Sequence, residues 1–131
     1  MASFTDHTEA LVLNWLFTTG TATRPTAWYV GLFTGTPSDT GGGTEVSGSG
    51  YTRKATGTIT VSGTATTATN SAAIEFDPAS GGDWGTITHA AIFDASTSGN
   101  MLAWAPLTVS RIINDGDVFR IPASSLTITL T

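Results

Sequence analysis

Apolar residues after position 26 recur in short stretches with the period of β-strands. In the stretch 51–61, Thr58 and Thr60 alternate with Ile59 and Val61, which is typical of a strand with one solvated face. Similar stretches, separated by turns rich in Gly, Asn, Asp and Ser, cover 27–33, 71–76, 86–94, 101–109, 117–122 and 124–131. This spacing predicts an all-β fold, an antiparallel β-sandwich of about seven to eight strands, forming a single domain over residues 1–131.

The N-terminal segment, about 3–18, is predicted to form the one α-helix. Ser3 with Asp6, or Asp6 with Glu9, would provide a capping box. Its second half, "ALVLNWLF", is apolar on nearly every side, and such a helix must be covered by more than one surface. Two covers are equally compatible with the pattern: an edge of the same sandwich, or a neighbouring subunit that would contact Trp15, Leu16 and Phe17.

A long tract of Gly, Ser, Thr and Pro, about 34–51, separates two predicted strands. It contains no lysine, so it lacks the pattern of a phosphate-binding P-loop. An uncharged tract of this kind can be ordered against a partner without burying an unpaired ion. We therefore expect an assembly surface here, with Glu45, Tyr51 and Arg53 as fixed points; the alternative is a loop that folds back on its own sandwich.

Charge is scarce and negative, which limits the classes of partner. Only 11% of the residues are charged and the net charge is −5, whereas about 25% is typical. Five scattered cations are too few to neutralise a run of phosphates, so nucleic acid is not an expected partner. The apolar run 10–17 is too short for a membrane span, and no membrane partner is expected. The chain contains no cysteine, and no cofactor is predicted.

Candidate catalytic groups are few. His89 lies in a predicted strand and is expected to be packed there, and His7 is expected to be solvated. The acidic residues of "DPASGGD" and "NDGD" could suit calcium, but turn aspartates more often bond their own backbone. The sequence therefore predicts a structural or binding protein and not an enzyme.

Tryptophan offers one route to ligand binding. Trp84, in "SGGDWGT", is the best candidate for an exposed ring that stacks on a sugar. Packing inside the protein is nevertheless favoured even for Trp84.

Four ordered stretches resemble the small virion proteins of tailed bacteriophages that are labelled "phage tail fiber protein". They are "RPTAWYVGLFTGTPSDTGGGTEVSGSGYTRKA", "TNSAAIEF", "DWGTITHAAIFDASTSGNMLAWAPL" and "INDGDVFRIPASSLTITL", and the resemblance extends from Glu9 to Leu130. The resemblance implies a non-enzymatic component of the phage particle, assembled in the host cytoplasm, and it supplies no catalytic or metal-binding residues.

Three roles remain open under this resemblance. The favoured role is a tail-associated or fibre-like protein. It would form a homo-oligomer, with a trimer favoured, and would contact other phage structural proteins, either of the tail or the major capsid protein. A capsid decoration or cement protein comes second, because the chain has no repeat that would build a shaft. A carbohydrate- or receptor-binding module is third, and it depends on an exposed aromatic ring such as Trp84.

Overall fold

The computed structural model describes residues 3–63 and 66–130 and contains one helix and eleven short strands in that range. The elements are β1 (Ser3–Phe4), α1 (Asp6–Phe17), β2 (Tyr29–Gly35), β3 (Thr44–Glu45), β4 (Lys54–Ala55), β5 (Ile59–Val61), β6 (Thr67–Asn70), β7 (Ile74–Glu75), β8 (Gly85–Phe93), β9 (Met101–Ile113), β10 (Arg120–Ile121) and β11 (Thr127–Thr129).

The largest sheet, which we call the main sheet, is antiparallel and has the order β1-β9-β8-β2-β3, with β4 also paired to β2. Its central strands are those with the longest apolar runs, as expected for strands covered on both faces. β8 and β9 form a hairpin, and one wide irregularity interrupts their pairing. Ile87 pairs with Arg111 and His89 with Pro106, so residues 107–110 of β9 lie opposite the single residue Thr88.

The main core lies between one face of the main sheet and the small antiparallel pair β7–β10. Val30 and Leu32 of β2 contribute to it from the main sheet, and both are fully buried. Phe76 and Phe119, which lie next to β7 and β10, pack edge to face with ring centroids 5.7 Å apart. This arrangement confirms the predicted β-sandwich with one N-terminal helix.

A third sheet, with the order β11-β6-β5, is connected to the second layer through one buried amide. Asn70 at the end of β6 is 0% exposed. Its Nδ2 donates to the carbonyl oxygens of Ala72 (2.8 Å) and Pro122 (2.9 Å), and its Oδ1 accepts from the backbone N–H of Leu126 (2.9 Å). The three bonds hold the C-terminal segment in place before β11 begins.

The start of the helix differs from the prediction. Ser3 and Phe4 form strand β1 on the edge of β9 instead of the first helical turn. The predicted capping boxes are absent because Thr5 is the N-cap residue, and it makes no side-chain capping bond. Its hydroxyl donates instead to the carbonyl oxygens of Met101 and Leu102. A tertiary contact therefore replaces the local cap.

The strands are more numerous than the pattern indicated, and several of them are shorter, whereas β9 extends four residues beyond the predicted stretch 101–109. The predicted strand 51–61 divides at Gly57, whose φ is 65°, into β4 on the main sheet and β5 on the third sheet. In 71–76, the expected alternation is present, with Ile74 and Phe76 buried and Glu75 exposed. Alternation thus identified the buried face in 71–76 but not in 58–61, where Val61 is 59% exposed. The division at Gly57 depended on which sheet each half joins.

Replacing Asn70 with Ala should lower the free energy of unfolding by about 2–4 kcal/mol, since it leaves the Leu126 N–H and two carbonyl oxygens without their partner. The measurement is urea unfolding followed by tryptophan fluorescence. Asn114→Ala is the matched control, because Asn114 is exposed and only its backbone is hydrogen-bonded. Equal unfolding midpoints for the two variants would contradict the role assigned to Asn70.

Candidate assembly surface

Helix α1 is fixed to the main sheet only at its beginning. The backbone N–H of Thr5 donates to the carbonyl oxygen of Leu102 (3.1 Å), and the hydroxyl of Thr8 donates to the same oxygen (2.7 Å). On the other side, the N–H of Asp6 donates to the carbonyl oxygen of Asp39 (2.9 Å). We call this attachment the helix base.

Beyond the helix base, the apolar residues of α1 are exposed to solvent. Trp15 is 71% exposed, Leu16 is 55% exposed and Phe17 is 77% exposed. Val12 and Leu13 are exposed as well, and no residue of the helix is buried. Of the two covers that the pattern allows, an edge of the same sandwich therefore does not lie over this surface, which we call the α1 surface (residues 12–17).

The polar groups of the same segment are hydrogen-bonded within the helix. Asn14 donates through Nδ2 to the carbonyl oxygen of Ala10 (2.9 Å), and the hydroxyl of Thr18 donates to the carbonyl oxygen of Asn14 (2.8 Å). A helix of 12 residues is marginal in water without tertiary packing. The α1 surface therefore has the character of a contact surface that lacks its partner.

Loop 34–51 folds back on its own sandwich and does not project as an arm. The N–H of Val46 donates to the carbonyl oxygen of Leu32 (2.9 Å), and its side chain is part of the main core. The carbonyl oxygen of Ser49 accepts from the N–H of Ser80 (2.9 Å). Of the two alternatives for this segment, the structure shows the ordered loop that folds back on its own sandwich.

Glu45 and Arg53 pair with each other within the protomer. Arg53 Nε lies 2.8 Å from Glu45 Oε1, and Arg53 Nη2 lies 2.9 Å from Glu45 Oε2, which gives a two-pronged ion pair. Arg53 Nη1 donates to the carbonyl oxygens of Ala95 and Ser98 in the β8–β9 turn. The guanidinium carbon lies 3.4 Å from the ring centroid of Phe93. These contacts use the arginine's donors inside the fold.

Tyr51 completes this cluster. Its hydroxyl donates to Glu45 Oε1 (2.8 Å) and accepts the backbone N–H of Leu32 (2.9 Å). Burial raises the pKa of the Tyr51 phenol far above its ordinary value; the Leu32 N–H opposes this shift, and the negative charge of Glu45 adds to it. Gly31 makes room for the cluster, because a Cβ there would lie 2.8 Å from Glu45 Oε1.

These contacts divide the predicted site residues into two groups. Trp15, Leu16 and Phe17 remain available for assembly. Glu45, Tyr51 and Arg53 contact one another inside the protomer and hold it together. The contacts that these residues were expected to make across a subunit boundary stay a prediction.

Trp84 is packed inside the protein, which is the alternative to an exposed, sugar-stacking ring. It is 6% exposed, its Nε1 donates to the carbonyl oxygen of Ser49 (2.9 Å), and its ring packs edge to face on Tyr51 and Phe76. The ring is therefore enclosed in the core, and Trp84 does not provide a sugar-stacking platform.

The histidine and acidic groups have structural contacts. His89 Nδ1 lies 2.8 Å from the hydroxyl of Thr88, within a half-buried strand. Asp83 and Asp115 accept backbone N–H groups across two loops: Asp115 N–H donates to Asp83 (2.7 Å), and Gly81 N–H donates to Asp115 (3.0 Å). Asp117 accepts the N–H of Asn114 (3.0 Å). Of these three aspartates, Asp117 bonds the backbone of its own turn, as expected, whereas Asp83 and Asp115 each bond the backbone of the other's loop.

Residues 3–63 and 66–130 contain neither a candidate metal site nor a candidate membrane-spanning helix. No group of three or more His, Cys, Asp or Glu side chains there is arranged to hold a metal ion. In the same ranges, no helix has the length and apolar character needed to cross a membrane.

One feature escaped the sequence analysis: a groove between β9 and the C-terminal segment, with a volume of about 760 Å³. Its small and apolar lining includes Ala90, Ala103, Ala105, Leu107, Val109, Val118 and Leu126. Pro106 within an otherwise apolar strand was the available signal, since proline in a strand marks an edge or a bulge.

The comparison with protein families agrees with the resemblance found in the sequence. The family described as Podophage GP4 fiber I protein gp80 matches residues 3–129, and the chain belongs to that family. The search of curated proteins found no match.

Replacing Tyr51 with Phe should lower the free energy of unfolding by about 1–3 kcal/mol at neutral pH, because the Leu32 N–H and Glu45 lose a buried partner. The folded-state pKa of Tyr51 is raised, so its contribution is complete below the unfolded-state pKa of about 10 and declines as the pH rises above that value. The difference between wild type and variant should therefore shrink in alkaline solution.

Urea unfolding of both proteins, from neutral pH to about pH 11, measures this difference. Tyr29→Phe is the control, because it removes a phenol from the main sheet without touching Glu45. A difference that stays constant over the alkaline range would show that burial does not raise the pKa of Tyr51.

Proposed function

We propose that this member of the fibre-protein family is a structural, tail-associated or fibre-like component of a bacteriophage particle, and that it works as a homo-oligomer, with a trimer favoured. The observation that carries the proposal is the α1 surface, where large apolar side chains are exposed together on a helix held only at its base. Exposed apolar surface of this kind marks a site of protein–protein contact.

The composition of the surface supports assembly. With 11% charged residues, the protein repels further copies of itself weakly, and neutral hydroxyl groups and backbone can enter an interface without an unpaired charge. Aromatic residues are enriched among those that dominate interface energetics, and Trp15 and Phe17 are the most exposed large apolar side chains described. Other structural proteins of the particle would be the partners of the assembled oligomer.

A non-enzymatic role fits the contacts of the chemically reactive side chains. Glu45 is paired with Arg53 and Tyr51, and Asp83, Asp115 and Asp117 accept backbone N–H groups. These hydrogen bonds stabilise the fold. Each carboxylate would have to exchange its present hydrogen-bond partner for a substrate before it could take part in catalysis.

The other two roles differ in how well they fit. A capsid decoration protein also needs an exposed apolar contact and a short fold without a shaft, so it is the second candidate. A carbohydrate-binding module stays the third candidate: its first-choice ring, Trp84, is buried, so the exposed aromatic that it needs would have to be another one, such as Trp15.

Cryo-electron microscopy of purified particles should place the protein at the tail or on fibres attached to it. The density should accommodate more than one copy around the attachment point. Density confined to the capsid shell would replace the tail-associated role with capsid decoration, and absence from the purified particles would overturn both.

The double substitution Trp15→Ser with Phe17→Ser should convert the oligomer into monomers, because both rings would lose the apolar contact that offsets the entropy of association. Sedimentation velocity measures the molecular mass of each species. Val61→Ser is the control, since Val61 is 59% exposed on β5, in a different sheet. An unchanged oligomer with the double variant would show that α1 does not hold it together.

A further inference from the structure

Two apolar surfaces of the protomer lack a cover, and they differ in shape. The α1 surface is convex, and the groove beside β9, called the β9 groove here, is concave. The floor of the groove is formed by the small side chains of Ala90, Ala103 and Ala105 on one face of the main sheet. Small side chains leave room for large ones from a partner.

The helix of a protomer does not occupy the β9 groove of the same protomer. No residue of α1 lines that groove, and the helix base is held by Met101 and Leu102, which precede the groove-lining residues of β9. A second copy could place its α1 surface in the groove without unfolding either chain.

The α1 surface (residues 12–17) carries no charge itself, but the first turn of its helix and the β9 groove carry opposite charges. α1 carries Asp6 and Glu9 and has no cation in its last turn. The β9 groove is lined by Arg111 and Arg120, two of only five cations in the chain. Within the described residues, Arg120 makes one loose, exposed ion pair at 3.7 Å from Glu75, and Arg111 makes none.

The protruding part of β9 adds polar partners. Residues 107–110 have no pairing partner on β8, and β1 pairs only with Ala103 and Trp104 on the other edge. Their backbone groups lie beside the apolar lining of the β9 groove, where a tryptophan N–H from a partner could find an acceptor. Trp15 makes no hydrogen bond through Nε1 among the described residues, so its N–H can serve this contact.

We infer that the α1 surface of one copy docks into the β9 groove of the next copy, with Glu9 facing Arg111. The inference rests on the proposed homo-oligomer and specifies its interface. Because helix and groove are different surfaces, the contact is head to tail and closes into a ring when the rotation between copies is right. A ring of three would use three such contacts and leave neither surface uncovered.

A bundle of α1 helices around a symmetry axis is the competing arrangement, and the observations favour it less. It would bring the Asp6 and Glu9 carboxylates of all copies together without a cation from the helices, and it would leave the β9 groove open. The helix is also apolar on nearly every side, so it suits an enclosing groove better than a bundle that covers one face.

The first test is a charge exchange between the two surfaces. Glu9→Arg and Arg111→Glu should each raise the dissociation concentration of the oligomer by about tenfold or more, and the double variant should recover most of that loss. Sedimentation velocity over a dilution series measures the dissociation concentration. Arg24→Glu is the control for a cation outside the groove. Additive losses in the double variant would overturn the docking.

The second test mixes two variants that are each broken on one surface. The helix variant is Leu16→Asp with Phe17→Asp, and the groove variant is Val109→Asp, at a residue that is 64% exposed. Each variant alone should be monomeric, whereas an equimolar mixture should form a heterodimer through its one intact pair of surfaces, seen by native mass spectrometry. Val61→Asp is the matched control and should remain oligomeric.

The outcomes separate this inference from the proposed function. An oligomer that survives Val109→Asp would overturn the docking and leave the homo-oligomer intact. An oligomer that survives Val109→Asp but is lost with Leu16→Asp and Phe17→Asp would point to the helix bundle. Monomeric variants that form no heterodimer, together with additive charge losses, would overturn the docking. A wild-type protein that is monomeric over the whole dilution series would overturn the homo-oligomer itself. Circular dichroism of each variant confirms that the protomer stays folded.

Discussion

The ion pair between Arg53 and Glu45 is the contact on which the arrangement around the main sheet depends. The guanidinium is nearly buried, stacks on Phe93 and also donates to two carbonyl oxygens of the β8–β9 turn, so one side chain joins three segments that are distant in sequence. Removing one partner of a buried pair leaves an uncompensated charge, which destabilises more than the pair itself stabilises. The absence of a side chain at Gly31 is part of the same constraint, because a Cβ there would displace the carboxylate.

The same cluster determines where α1 begins. The β8–β9 turn leads directly into Met101 and Leu102, whose carbonyl oxygens hold Thr5 and Thr8, and loop 34–51 provides the carbonyl oxygen of Asp39 that binds the N–H of Asp6. Both segments are fixed by Arg53 or Glu45. The helix is therefore held rigidly at its base while its apolar end extends into solvent, an arrangement suited to presenting a contact surface at a defined angle.

The sequence predicted those features that depend on local pattern. The continuous apolar run 27–33 indicated that β2 is buried, and alternation identified the buried positions around β7. The all-round apolar character of α1 correctly indicated that the sandwich face alone would not cover it. The sequence was a poor guide where the position of a residue depends on a contact that is distant in sequence. Trp84 is flanked by Gly and Asp, as an exposed loop residue would be, yet its indole N–H donates to the carbonyl oxygen of Ser49, 35 residues away. Loop 34–51 likewise has the composition of a free arm, and only its pairing with Leu32 and Ser80 shows that it folds back. The β9 groove depends on the register of β8 and β9 and on the path of the C-terminal segment, which no single stretch encodes.

A surface with few charges leaves assembly to be specified by shape and by those charges that remain. Three of the ten acidic residues, Glu45, Glu75 and Asp77, pair with cations of the same protomer, namely Arg53, Arg120 and Lys54. Of the remaining cations, Arg111 lies in the β9 groove, whereas Arg24 lies in the connector after α1. Arg111 has few counter-charges nearby among the described residues, so a partner that brought another cation into the groove would meet strong repulsion. A single arginine of this kind in an apolar groove therefore discriminates strongly among possible partners. The acidic, cation-free helix is the element of this chain that matches the groove in both charge and shape.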